Sequence, residues 1–461
     1  MNPLLLVLCA VLVGMQAALP RRIAFLPLLI AACHTPYNPF LGGLTVARVV
    51  IMVGLIRAVA KGWASWSPNN RLDLLMAAFA GVVLLSTVGH SWQPYNPLIV
   101  RLRLVLDVMG TYLYMRAYLA EKDSLHQFSR SLVLVLIPFA FFLFAEKQSG
   151  LNSYAAVGAG NMISMVRDGK IRAPGPFGPP ILTGAPGAPP LPLVIPPWRT
   201  KRRLAIAGIV ASLVVVYASA SSGPIGTVAV GLAAVAFWKW RQYLKPALLG
   251  VCVMLVILHF IKERPIWYLM AIMDFVGGST GWHRAYLIDM AVKFMGEWWL
   301  WGSDYTRHWM PYGLVAVPEH CDLTNYYIHL GVTGGLSVVF VLLAIIWKSF
   351  RLLGARIVSL RQVNNPDEFW LWCVGSALFA HAVTFLSISY FDQIYVFFWG
   401  LIGGLTGFVA ATEAGSGEQE EVAEVPAVPV ITSYPDWGTG QAPPRIGGSA
   451  GESRGTLPHQ P

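Results

Sequence analysis

Runs of seventeen or more mostly apolar residues recur along this chain of 461 residues, and they constrain its fold more than any other feature. At 1.5 Å per helical residue, such a run approaches the ~30 Å hydrocarbon thickness of a bilayer. With 56% of residues hydrophobic and 12% charged, against about 25% charged in soluble domains, the apolar surface is too large to hide in a core. A soluble chain of this length would hold about three domains at ~150 residues each. The runs predict instead a single all-α polytopic membrane helix bundle of about 12–13 transmembrane helices. The spans fall at 3 to 19, 23 to 39, 43 to 60, 72 to 89, 98 to 118, 130 to 145, 176 to 197, 204 to 220, 223 to 239, 246 to 261, 326 to 347, 369 to 388 and 391 to 411. The second is interrupted by proline, and the seventh carries nine prolines, so it is read either as a kinked span or as a re-entrant loop.

The excess of Lys and Arg (33) over Asp and Glu (23) sets the orientation. A net charge of +10 can mark a nucleic-acid binder when the basic residues share one soluble face. Here they fall in the short links between apolar runs, which excludes a nucleic-acid partner and points to topology-setting charge. Alternate links, from Arg21 and Arg22 to Lys348, Arg351, Arg356 and Arg361, hold nineteen basic residues. The short links on the other side hold four, Lys147, Arg167, Lys170 and Arg172, all in one loop. The first set is read as cytoplasmic, and the long segment 262 to 325 then becomes a large periplasmic loop. The first run is read as a retained span because Arg21 and Arg22 follow it, the reverse of a cleaved signal. Residues 1 to 412 form the membrane domain. Residues 413 to 461, rich in Gly, Pro, Ser and Glu, read as a disordered cytoplasmic tail. Cys9, Cys33, Cys252, Cys321 and Cys373 lack metal-ligand spacing and read as packing residues. No metal or cofactor is expected.

Ionisable residues in or beside spans on the outer side are costly unless they serve a cavity or a partner. Arg48 lies in the third span, and Arg101, Arg103 and Asp107 in the fifth, where snorkelling or pairing with Asp107 is the bland reading for the two arginines. Arg172 precedes the seventh span. Residues 219 to 227, SASSGPIGT, read as a tight turn whose Ser221 and Ser222 N–H groups form an anion nest or a simple hairpin. GWHRAYLIDMAVKFMGEWWLWG reads as an amphipathic interfacial helix with His283 and Arg284 at its N-terminal end. His320, Asp322 and Asn325 stand at the mouth of the eleventh span, where Gly331, Gly334 and Gly335 allow close helix packing.

Guanidinium forks suit phosphate oxygens, and a diphosphate is the leaving group of a lipid-linked sugar. Transfer of that sugar needs charge stabilisation on the leaving group and a base for the acceptor hydroxyl. Neither GxxxxGK[ST] nor GxGxxG is present, which argues against a nucleotide-sugar donor.

These residues resemble the O-antigen ligase and O-antigen polymerase family of bacterial surface-polysaccharide assembly. The likeness covers about residues 170 to 340. It rests on Arg172, Gly175, Phe177 and Gly178, on Ser221 to Pro224, on Arg284 to Gly302, and on Asn325, Tyr326, Gly331, Gly334, Gly335 and Leu336. The resemblance implies an inner-membrane glycosyltransferase that polymerises or ligates undecaprenyl-diphosphate-linked glycans onto a saccharide acceptor during O-antigen or exopolysaccharide biosynthesis, alongside other assembly or export proteins. By the same resemblance Arg172 and Arg284 clamp the diphosphate. From their placement Arg48, Arg101, Arg103, His283, Ser221, Ser222 and Asn325 are read as further substrate-binding residues, and Asp322, His320 and Arg284 as the catalytic group. Ligases commonly carry a histidine before the asparagine of the last motif, whereas this chain has Thr324, with His320 and Asp322 upstream. Either Asp322 takes the base role or the specificity differs. Ser221 and Ser222 also stand where many members carry an arginine, which leans the reading towards a polymerase or exopolysaccharide-type member. Two other classes fit the composition, a transporter or flippase and a non-catalytic scaffold, although no internal repeat of the transporter kind is evident.

Overall fold

The computed structural model describes residues 2–423 except 40–42, 65–69, 93–95, 122, 161, 273–280 and 311–318, and of 413–423 the backbone alone. The tail expected to be disordered lies outside the described residues from 424 onward. Among the described residues the chain is mostly helical. In chain order the helices are α1 (Pro3–Ala18), α2 (Leu26–His34), α3 (Val46–Ala60), α4 (Arg71–Leu85), α5 (Pro97–Val105), α6 (Thr111–Tyr118) and α7 (Ser124–Ser149). There follow α8 (Pro180–Thr183), α9 (Arg202–Ser219), α10 (Ser222–Ala236), α11 (Leu244–Ile261), α12 (Leu269–Ile272), α13 (Gly281–Lys293) and α14 (Met295–Trp298). The last are α15 (Tyr326–Gln362), α16 (Asp367–Thr384) and α17 (Tyr395–Ala423). One antiparallel hairpin, β1 (Met165–Arg167) with β2 (Lys170–Arg172), interrupts the helical order.

Among the described residues six helical segments are long and apolar enough to cross a membrane: Arg71–Gly89, Ser124–Ser149, Arg202–Ser219, Ser222–Ile261, Tyr326–Gln362 and Asp392–Thr412. The thirteen apolar windows do not become thirteen uniform helices, because helix breakers subdivide or shorten several of them. The window at 23 to 39 holds only the nine residues of α2, which ends at Thr35 directly before Pro36. The two windows at 223 to 239 and 246 to 261 join through a 3-10 stretch, Phe237–Tyr243, into one forty-residue segment.

The proline-dense window at 176 to 197 is not a continuous helix. It folds as α8 and two 3-10 turns, Leu191–Val194 and Pro196–Arg199. Prolines remove donors and block helical continuation, and the remaining groups bond within short turns, as in Ala185 N to Leu182 O at 3.0 Å and Ala188 N to Gly184 O at 2.9 Å. The buried Ser129 hydroxyl of α7 donates to Leu193 O at 2.6 Å. Leu182, Leu191, Leu193 and Val194 are buried, so the segment is a coiled plug inside the bundle, packed against α7, α9, α10 and α16.

The segment read as one interfacial helix also differs. It forms α13 and the single turn of α14, with a break at Phe294. Leu287, Ala291 and Trp298 are covered by Trp309, Met310, Cys321, Ile328 and Val332 in a small second core. Burial against protein rather than lipid explains its apolar periodicity. Four of the five cysteines are buried and all are free thiols.

Candidate functional site

The site is built around a broken helix. Asn325 caps α15, its side-chain oxygen accepting from the N–H groups of Tyr327 at 3.0 Å and Ile328 at 3.2 Å. Two turns later the helix breaks at Gly334 (φ −153°, ψ 19°) and Gly335 (φ 82°, ψ 177°). The second conformation is essentially restricted to glycine, and a Cβ on Gly335 would collide with the Leu300 carbonyl. The freed backbone groups find new partners: Ser303 N donates to Val332 O at 2.8 Å, Leu336 N to Trp299 O at 2.8 Å, and Arg101 to Thr333 O at 2.7 Å. Irregular backbone within a span is tolerated where such partners or a cavity receive it. The expected glycine-mediated packing is therefore present, and it takes the form of a break against residues 299–303.

Beside the break lies a cavity of about 550 Å³. One wall carries Arg101 and Arg103 of α5. Arg101 is 7% exposed and also meets His90 Nε2 at 2.7 Å. His90 in turn meets Asp304 Oδ1 through Nδ1 at 2.5 Å, and Asp304 accepts from Ser91 N at 2.7 Å. These contacts hold the Asp304 carboxyl below its ordinary range despite the opposing effect of burial. The Arg103 guanidinium lies over Gly43 on the same cavity. The lining also includes His320, Asp322, Ser389 and Asp392.

Arg48 also lines the cavity but is committed to the protein. Its guanidinium forms a bidentate pair with Asp107, 2.7 Å for both Nε and Nη2, and bonds Gly43 O and the Tyr37 hydroxyl. Asp107 thus forms its bidentate pair with Arg48.

A second basic group includes Arg284, an electrostatic neighbour of Asp322. Asp168 (φ 51°) and Gly169 (φ 71°) turn the β1–β2 hairpin in the left-handed region that two-residue hairpin turns require. The hairpin sets Arg167 opposite Lys170 and leads into Arg172. Its base is fastened to the end of α7: the buried Glu146 carboxylate accepts from Ser164 Oγ at 2.7 Å and Gly175 N at 3.2 Å, and Lys147 bonds Ile171 O. Arg172 donates to Ser221 Oγ at 2.7 Å. Arg284, 7% exposed, donates from Nε to Ser387 O at 2.9 Å and stands within electrostatic reach of Asp322, Arg167 and Arg172. Burial, reinforced by the neighbouring arginines, lowers the pKa of Arg284, while Asp322 opposes that shift. Burial raises the Asp322 carboxyl above its ordinary range, with His283 and Arg284 pulling the other way. Burial also lowers the His320 imidazole, which meets Thr306 Oγ1 at 3.1 Å.

The sequence-derived residues therefore fall into three placements. Arg48, Arg101, Arg103, His320 and Asp322 share the cavity. Arg172, Ser221 and Arg284 form the second group, with His283 at 3.4 Å from the Asp322 backbone oxygen. Asn325 serves as a helix cap and bonds Leu386 O at 3.3 Å, while Ser222 opens α10 behind the N-cap Ser221. The expected turn is shorter than 219 to 227, its reversal confined to Ala220 (φ 42°) and Ser221.

Sequence reasoning missed Asp392, Ser389, the His90–Asp304 pair and Arg167. Asp392 lines the cavity and accepts from Gly178 N at 3.3 Å. It lies at the start of an apolar run, so the rule that singled out Arg48 applies to it equally. Arg167 was visible through the Asp-Gly turn that folds it back beside Arg172. His90 and Asp304 lie 214 residues apart and carry no local signal. No protein-family model matches the chain, and no curated protein matches it.

Proposed function

We propose that this chain is a membrane glycosyltransferase that moves a saccharide from a lipid diphosphate carrier to an acceptor sugar hydroxyl. The observation that carries the reading is the position of Asp322, which lines the cavity and at the same time neighbours Arg284 of the second basic group. A carboxylate between an arginine and a cavity lined by further ionisable groups suits a base working between a diphosphate and an acceptor.

In this reading Arg172 and Arg284 bind the donor diphosphate and neutralise the charge that develops on it. The acceptor sits in the cavity. The anomeric carbon–oxygen bond to the diphosphate breaks as the bond to the acceptor oxygen forms. The acceptor proton passes to Asp322, and the prenyl diphosphate leaves with the bonding electron pair. His320 is kept neutral by burial and orients the acceptor as a hydrogen-bonding group. The charge asymmetry of the links favours a periplasmic site in a bacterial inner membrane, and undecaprenyl diphosphate is the carrier class the motif likeness suggests. Asp322 in place of a motif histidine, and serines in place of the turn arginine, favour a polymerase over a ligase.

Cells lacking the protein should display single repeat units on the surface if it is a polymerase, and carrier-bound polymer if it is a ligase. Normal polymer in cells carrying Arg284→Ala and Asp322→Ala together would overturn the reading. A transporter is the second reading, favoured by the break in α15 beside a cavity lined by ionisable side chains, an arrangement transporters use for substrate sites. It predicts flux into proteoliposomes with no covalent change to the glycan.

A further inference from the structure

The β1–β2 hairpin stands where two apolar helices end together. α7 stops at Ser149, where Gly150 (φ 72°) turns the chain towards the hairpin, and α9 stops at Ser219. Ala173 N, just past β2, donates to Ala218 O at 3.1 Å, and Lys147 bonds Ile171 O with its ammonium 5.3 Å from the centre of the Tyr217 ring. Both helices are long and apolar enough to cross a membrane, so the level at which they end is a bilayer surface. An exposed tyrosine beside a lysine is the kind of pair that anchors a span in the headgroup layer. Phe141 and Phe144, exposed within about two turns of Ser149, carry the lipid-facing surface of α7 up to the same level.

The hairpin bears apolar surface that a water-exposed loop has no use for. Leu151, Met162, Ile163, Met165 and Val166 are between 52% and 73% exposed. Single exposed apolar side chains are ordinary, but a group of them on one short hairpin marks a surface that meets a partner or a lipid layer. Strand register sorts them. Leu151 pairs with Ile163, Met165 with Arg172, and Arg167 with Lys170, so Leu151, Ile163 and Met165 share one face with the exposed Arg167 and Lys170. The other face is fastened at Ser164, buried on Glu146 of α7. Charge selects the occupant. Residues 165–172 hold three basic side chains and one acid, Asp168, which lies 3.8 Å from Arg167, and the net +2 suits a layer of anionic headgroups.

We infer that the hairpin is a membrane-docking finger: Leu151, Ile163 and Met165 enter the boundary between headgroups and acyl chains, and Arg167 and Lys170 meet the phosphates of the surrounding anionic lipids. Long basic side chains reach phosphate while their aliphatic stems lie on apolar surface. Docked in this way, with Glu146 and Lys147 fixing its base, the hairpin holds Arg172 at headgroup depth. The inference stands on the hairpin's own residues and holds whether the chain transfers glycan or carries a solute.

Full-length protein with its exposed Cys252 changed to serine, the other cysteines being buried, is labelled with an environment-sensitive fluorophore at Ile163→Cys and placed in lipid nanodiscs. In nanodiscs of phosphatidylcholine mixed with phosphatidylglycerol, emission should shift to the blue, brominated acyl chains should quench it, and aqueous iodide should not. A basic residue at an anionic surface favours docking by about fivefold. Arg167→Gln with Lys170→Gln should therefore raise iodide quenching several-fold at an unchanged unfolding temperature. Nanodiscs of phosphatidylcholine alone should do the same without any change to the charged residues. Iodide quenching without quenching by brominated lipid in the anionic nanodiscs overturns the inference and leaves the face to a partner in water. Quenching by brominated lipid that ignores both lipid charge and the double variant also overturns it, because the basic pair then has no part in docking. Protection that appears in neutral nanodiscs on addition of farnesyl diphosphate, and that phosphatidylglycerol fails to give, assigns the pair to a lipid diphosphate and overturns it as well.

Discussion

At the scale of single residues, the arginines that look alike in the sequence divide by what they touch. Arg48 is saturated by Asp107, Gly43 and Tyr37, so its role is structural. Removing one member of a buried pair leaves the other charge uncompensated and costs about 3–5 kcal/mol, whereas replacing both with apolar residues costs far less. Arg48→Met should therefore lower the unfolding temperature in detergent sharply, and the Arg48→Met, Asp107→Leu double variant should recover most of the loss. A double variant no more stable than the single one would contradict the assignment. Asp322 invites a different measurement. A base acts in its deprotonated form, and burial raises the carboxyl above its ordinary value, so the rate should fall with decreasing pH at a higher pH than an ordinary aspartate with a pKa of about 3.9 would give. Asp322→Asn should lower the rate by a hundredfold or more, the usual range for general-base loss being ~10²–10⁴, and should abolish that acid limb. An unchanged acid limb would assign it to another group. The sequence singled out Arg48 as a costly charge inside an apolar run and Asp322 as a charge at the mouth of one, but it could not tell a paired arginine from one facing a cavity. That difference depends on a partner fifty-nine positions away.

At the scale of elements, the decisive feature is the break in α15, which frees Thr333 O to hold Arg101 and lets residues 299–303 pack beneath it. Gly335→Ala forces a side chain into a backbone region that costs about 1–3 kcal/mol for non-glycine residues, and directs its Cβ at the Leu300 carbonyl. The variant should lose thermal stability and affinity for cavity ligands together, measured by unfolding in detergent and by titration. Full retention of both would show that the break does not support the cavity. The paired glycines were visible in the sequence as a packing signal, and so was the Asn325 cap. That they interrupt the helix was not, because the interruption depends on Trp299, Leu300 and Ser303 arriving from a distant segment. The proline plug and the α13–α14 pair illustrate the same limit. Apolar periodicity reports burial without saying whether lipid or protein covers the face, and Leu287 and Trp298 are covered by protein.

At the scale of the whole molecule, the mostly helical character was legible from the length of the apolar runs, and six helical segments among the described residues meet the length and hydropathy of a crossing helix. The site was legible in part. Arg172, Arg284 and Asp322 were singled out from charge placement, and folding brings them together through the β1–β2 hairpin, α13 and the cap region of α15. Asp392, which ties Gly178 to the cavity, and the His90–Asp304 pair became evident only in three dimensions. The central claim is covalent transfer at this junction, and purified protein supplied with a prenyl-diphosphate-linked oligosaccharide and an acceptor glycan tests it most directly. Longer or transferred glycan should appear with release of prenyl diphosphate in equal amount, and both products should be lost in Arg284→Ala and Asp322→Asn. Unaltered glycan with the wild-type protein, or undiminished transfer in both variants, would contradict it.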